Sequence, residues 1–148
     1  MSRLRRILHP TDFSRASGAA FARATAMAKA DRAELLLVHV LSLPMPVVGD
    51  GYISPQVYEN LDASQRKYGQ KHLDGLQAKA RKAGVRAKAV LLDGVADQQI
   101  LRAARSKKAD LIVIGTHGRT GLAKLFLGSV ASRVVAGARC PVLTVRGR

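Results

Sequence analysis

The chain has few acidic residues: 10 Asp and Glu stand against 25 Lys and Arg, for a formal net charge of +15. Such an excess attracts polyanions and phosphorylated ligands. The cations are spread along the chain, with no arginine-rich tail, and read first as a basic solvated surface. Aromatic residues make up only 4%, which leaves few platforms for stacking single-stranded bases. A single cysteine, Cys140, excludes an internal disulfide and points to a reducing cytoplasm. No apolar run approaches the roughly 20 residues that span a bilayer. The basic start, Arg3-Leu4-Arg5-Arg6, leads into Ile7-Leu8-His9-Pro10-Thr11-Asp12, which lacks the long apolar core of a secretory signal. Four histidines and one cysteine show no metal-ligand spacing, so no structural zinc is expected.

What is present is a regular alternation. The 148 residues, 47% of them hydrophobic, suffice for one domain with a real core, with no boundary, repeat or low-complexity segment. Residues 3–10 read as a first strand, ended by Pro10. From Ser14 to about Ala30 small residues recur at helical spacing (Ala20, Ala24, Met27, Ala28) and predict a helix that lies close to a sheet. Glu34 to Leu41 is almost continuously apolar, as in a strand covered on both faces. Ser42 to Pro55, with three prolines and two glycines, reads as a loop and the natural moving part. A long amphipathic helix follows over 56–83, with Gly84 as its stop signal. Val85 to Leu92 gives a third strand, and Asp97 is placed to cap the next helix. Asp110 to Ile114 gives a fourth strand, a glycine-rich loop covers 115–127, and Gly128-Ser129 opens a last helix. Pro141 to Val145 gives a fifth strand. Five strands alternating with four helices specify an α/β fold with a doubly wound, open, five-stranded parallel sheet of Rossmann-like type.

In such a sheet, ligands bind beyond the carboxyl ends of the strands, where strand order reverses. The informative stretch there is Gly115-Thr116-His117-Gly118-Arg119-Thr120-Gly121-Leu122, running on to Gly128-Ser129-Val130. Glycines at 115 and 118 allow positive φ and let backbone N–H groups approach an anion. At a helix start, unpaired N–H groups and the positive end of the dipole favour phosphate. The Ser129 hydroxyl can cap that helix or donate to a phosphate oxygen, and Arg119 and Lys124 supply positive charge. A Walker loop is excluded because no lysine precedes Ser129, and the turn after the first strand has no glycine for a dinucleotide fingerprint.

The spacing of Gly115, Gly118 and Gly128-Ser129 resembles the G-2x-G-9x-G-[ST] signature of ATP-binding universal stress proteins. The resemblance extends to Ile7-Leu8-His9-Pro10-Thr11-Asp12-Phe13-Ser14, to Leu36-Leu37-Val38-His39-Val40, and to Cys140-Pro141-Val142-Leu143-Thr144-Val145. It implies an adenine nucleotide alpha hydrolase-like fold and an ATP site. In that site Asp12 contacts the nucleoside, with Pro10 and Thr11 beside it. Val40 reads the adenine edge through its backbone, and Ile114 and Gly115 flank the ribose and α-phosphate. Gly118, Gly128, Ser129 and Val130 hold the phosphates, with His117 and Arg119 as neighbours. The resemblance further implies a homodimer through the fifth strand, Val142 to Val145. An apolar edge strand left bare supports the same reading.

Other residues carry bland expectations. His9 and His39 should be packed in strands, His72 should face solvent, and Cys140 should be a buried small hydrophobe. The run Lys79-Ala80-Arg81-Lys82 should be a solvated helix face. Ser14, Ser17 and Ser129 show no histidine and acid arrangement for a nucleophile, and no catalytic residue is expected. Three functions remain: an ATP-dependent regulatory switch with an unidentified protein partner, a slow ATPase, and a basic nucleic-acid-associated protein. Mg²⁺ or Mn²⁺ accompanying ATP is left open, and no membrane association is expected.

Overall fold

The computed structural model describes residues 2–42, 54–117 and 127–147. Within these the chain runs β1 (Arg6–Pro10), α1 (Arg15–Asp31), β2 (Glu34–Leu41), α2 (Pro55–Lys82), β3 (Ala87–Asp93), α3 (Ala96–Ser106), β4 (Leu111–Gly115), α4 (Ser129–Gly137) and β5 (Val142–Val145). The five strands form one sheet in the order β3-β2-β1-β4-β5, and every adjacent pair is parallel. The expected α/β, doubly wound sheet is therefore the observed one. The proposed mobile loop lies, over 43–53, outside the described residues.

Each strand alternates its side chains between two cores. Ile7, Leu35, Leu37 and Val113 pack against α1 and α2, which contribute Ala20, Ala24, Ala28, Leu73 and Ala80. Leu8, Leu36, Val38, Ile112 and Ile114 face α3 and α4, which contribute Ile100, Ala104, Ala131 and Val134. A parallel sheet with helices on both faces requires such two-sided apolar strands. Two helices lie on each face because the chain winds outward from β1 to β3, then crosses back to β4 and continues to β5. The reversal falls between β1 and β4, and it opens a crevice at their carboxyl ends.

Several local expectations are corrected. β1 begins at Arg6, because the N–H groups of Arg5 and Arg6 both donate to the Asp110 carboxylate (2.8 and 2.9 Å). β3 begins at Ala87, because Gly84 and Val85 close α2: their N–H groups donate to the carbonyls of Arg81 and Ala80. Gly84 has φ +90°, the left-handed conformation that glycine takes most readily. Pro55 is the first residue of α2 and not the end of the loop; its missing N–H costs nothing there. Asp97 does not cap α3. The cap position is Val95, which has no side-chain hydrogen bond, and Asp97 instead pairs with Arg133 of α4 at 3.8 Å. Cys140 is half-buried, not buried, and burial pushes its thiol pKa up. His72 is exposed as expected, but its ring packs on Phe13 and Tyr68. Among the described residues no helix is long and apolar enough to cross a membrane.

Candidate nucleotide site

The turn after β1 is built from short polar side chains. The Thr11 hydroxyl accepts from the Phe13 N–H at 3.0 Å, and the Asp12 carboxylate accepts from the Ser14 N–H at 2.9 Å. Ser14 caps α1 by accepting from the Ser17 N–H at 3.2 Å, and the Ser17 hydroxyl donates to Asp12 at 2.7 Å. The first turn of the helix and the Asp12 carboxylate thereby form one network. Burial pushes the Asp12 pKa up, but the hydrogen bonds from Ser14 and Ser17 outweigh it and hold the carboxyl below its ordinary value. Phe13 has φ +64°, which is unusual for a bulky residue. Its ring stacks on His39 and His72, with centroids 4.4 and 4.9 Å away. A strained residue beside a carboxylate held ionised is a common mark of functional sites.

This turn forms one wall of a cleft of about 190 Å³ at the carboxyl ends of β1, β2 and β4. Of the residues expected to form the site, Pro10, Thr11, Asp12, Val40, Ile114, Gly115, His117, Gly128, Ser129 and Val130 all line it. Gly118 and Arg119, together with Lys124, lie outside the described residues. The floor is apolar, with Val38, Ile100 and Ile114, whereas polar groups sit at the rim. His39 lines it too and donates from Nδ1 to the Thr11 carbonyl at 2.7 Å. The far wall is the start of α4, where Gly128 is the cap residue and has no side-chain cap. Among the described residues its first N–H groups therefore have no capping side chain, which suits an anion. Ser129 is exposed and does not cap.

Gly115 serves a different purpose from the one expected. Its φ is not positive. A Cβ at this position would lie 2.8 Å from the backbone carbon of Ala16 and 3.0 Å from the Ser17 nitrogen, so glycine is needed to seat α1 against β4. Gly147 meets Ala16 from another side, where a Cβ would come within 2.7 Å of its Cα. The Gly128 N–H donates to the Thr116 carbonyl and ties the start of α4 to the end of β4. Thr116, within the informative stretch, also lines the cleft, as do Ser17, Val38, His39, Ala96, Ile100 and Ala131, which were not anticipated there. Ser17 was the most accessible of these: Asp12, Ser14 and Ser17 share the spacing of a capped helix start.

A family model described as the universal stress protein family matches residues 3–146. The chain belongs to that family. A universal stress protein of Methanocaldococcus jannaschii is 38% identical over 142 residues, covering 96% of this chain and 82% of its own. Among solved structures, the universal stress protein UspA of Lactobacillus plantarum superimposes with a TM-score of 0.83 at 27% identity, covering 99% of this chain and 100% of its own. Two more distant structures share the fold and contain nucleotides. One is a universal stress protein family protein of Arabidopsis thaliana with AMP bound (TM-score 0.70, 20% identity, 97% and 92% covered). The other is the Archaeoglobus fulgidus universal stress protein in complex with dAMP (TM-score 0.64, 24% identity, 97% and 99% covered).

Proposed function

We propose that this universal stress protein binds ATP in the cleft between β1 and β4 and acts as a nucleotide-dependent switch, hydrolysing ATP slowly at most. The observation that carries this reading is the meeting, at the reversal point of the sheet, of an ionised Asp12 on one wall and the uncapped start of α4 on the other. A carboxylate accepts hydrogen bonds from a ribose, and helix N–H groups donate to phosphate. The apolar floor of Val38, Ile100 and Ile114 suits a base, with the Val40 backbone at its edge. Pro10 and Thr11 complete the nucleoside side, whereas Gly128, Ser129 and Val130 face the phosphates with Gly118, His117 and Arg119. AMP and dAMP in related folds support the adenine end. Mg²⁺ or Mn²⁺ would arrive on the phosphates.

A switch requires ATP to bind two states with different affinity. The fifth strand, at the open edge of the sheet, supplies the second state in this reading: a homodimer through Val142–Val145, in a cytoplasmic protein with an unidentified downstream partner. Calorimetry on nucleotide-stripped protein with Mg²⁺ tests the site. Wild type is expected to bind ATP, and Gly118→Val is expected to lose binding while keeping its circular dichroism spectrum. Equal affinity in the two would overturn the phosphate assignment. Sedimentation velocity with and without ATP tests the dimer, and a monomer under both conditions at tens of micromolar would reject it.

A further inference from the structure

The opposite end of the sheet carries a second cavity, of about 540 Å³, at the amino ends of the strands. It is lined by Arg3, Arg5, Arg6, Arg32, Arg86 and Lys108, with Glu34 and Asp110 as its acids. These cations come from the segment before β1, the α1–β2 turn, the start of β3 and the α3–β4 turn. Arg6 pairs with Glu34 at 3.8 Å, while the Asp110 carboxylate is engaged by the backbone N–H groups of Arg5 and Arg6. Among the described residues, the side chains of Arg3, Arg5, Arg32 and Lys108 have no ion-pair partner, and all four are exposed. The cavity therefore has more positive charge than its own acids neutralise.

The backbone holds two of these cations in a costly conformation. Arg32 and Lys108 have φ +56° and +54°. Each follows a helix and donates back to it: Arg32 to Lys29, and Lys108 to Arg105. At the equivalent position after α2 the chain uses Gly84, the residue such a turn favours. A cation near a helix carboxyl terminus is favoured by the dipole, which would account for either residue alone. It does not account for Arg3, Arg5 and Arg86, which precede or begin strands at the same end.

We infer that this amino-end cavity is a phosphate-backbone site for double-stranded nucleic acid, recognised without regard to sequence. Arginine predominates, and its planar fork matches phosphate oxygens. The cations extend across the four adjacent strands β3, β2, β1 and β4, roughly 14 Å at the usual inter-strand spacing. That is close to the width of a duplex major groove, about 12 Å. Among the described residues no aromatic side chain lines the cavity and Leu4 is the only apolar one, which leaves little for base stacking or insertion into a lipid surface.

The left-handed turns supply a probe that spares the fold. Arg32→Gly with Lys108→Gly removes two charges and places at each site the residue the turn prefers, so the melting temperature should hold within a few degrees. Binding of a fluorescein-labelled 20-base-pair duplex is followed by anisotropy across a series of NaCl concentrations. Four contacts give a log–log slope of about −3.6. The double variant should bind about tenfold or more weakly at 100 mM salt, with a slope shallower by about 1.8. A control, Lys67→Gln with Lys71→Gln on the exposed side of α2, should stay within about twofold of wild type. Equal losses in both double variants would reduce the effect to diffuse charge and overturn the site. Displacement of the duplex by AMP at matched ionic strength would move the polyanion to the carboxyl-end cleft. Capture by phosphatidylserine vesicles without duplex binding would overturn the nucleic-acid assignment in favour of an anionic membrane surface.

Discussion

His9 is enclosed in the core, with its Nδ1 proton on the Val113 carbonyl at 2.9 Å and its Nε2 without a partner among the described residues. Burial lowers its pKa to about 4, against the smaller opposing effects of the Val113 carbonyl and the Asp12 charge. The unfolded chain therefore binds a proton at about pH 6.5 that the folded chain refuses until about pH 4. Stability from this residue is complete above pH 6.5 and is lost as pH falls toward 4, by about 3 kcal/mol in all. Urea unfolding at pH 7.5 and pH 4.5 should show that loss, and His9→Gln should show much less of it. At Gly115, alanine would drive a methyl into the α1 backbone at 2.8 Å. The expected cost is about 1–3 kcal/mol of overpacking, read as a lower urea midpoint, and a variant as stable as wild type would refute the close approach. Neither effect was legible in the sequence: one depends on what surrounds a strand histidine, the other on a helix seated against a strand far along the chain. The histidine could be read only as packed, and the glycine only as part of a phosphate loop.

Helix and strand identities were better encoded than the ends of those elements. β2 occupies Glu34–Leu41 as its almost continuous apolar run implied, and α1, expected from Ser14, starts at Arg15 with Ser14 as its cap. Ser14→Ala should cost about 1 kcal/mol through the lost cap. It should also raise the Asp12 pKa, because Ser14 is one of the groups that lower it. NMR titration of Asp12 checks the sign, and an unmoved value would show that the network does not act on the carboxylate. Two of the misses, the start of β1 and the cap of α3, share a cause, in that long-range partners decided them. Arg3 to Arg5 have the composition of a strand, but Asp110 takes up the Arg5 and Arg6 N–H groups. Asp97 has the composition of a cap, but Arg133 on α4 draws it into an ion pair. Most residues facing the cleft were legible because strand ends can be located from the pattern. Ala96 and Ile100 were not, because α3 reaches the cleft only once the chain has crossed back over the sheet.

At the scale of the whole molecule, the two ends of one parallel sheet have opposite characters. The carboxyl end presents a carboxylate and an apolar floor, and the amino end presents cations. A calorimetric titration with ATP should therefore depend on Gly118 and not on Arg32 or Lys108, whereas the salt slope for duplex should show the reverse. Dependence of both ligands on the same residues would mean a single site. The first turn of α1 has a further consequence. Ala16 is held between Gly115 at the end of β4 and Gly147 just after β5, and the Thr116 N–H donates to the Val145 carbonyl. The Ser17 hydroxyl on that same turn holds Asp12. The edge strand and the Asp12 wall of the cleft thus share a common contact. Free energy spent displacing it from one side is felt at the other, and such a cost is reciprocal. If pairing along β5 tightens nucleotide binding, nucleotide must tighten that pairing by the same factor.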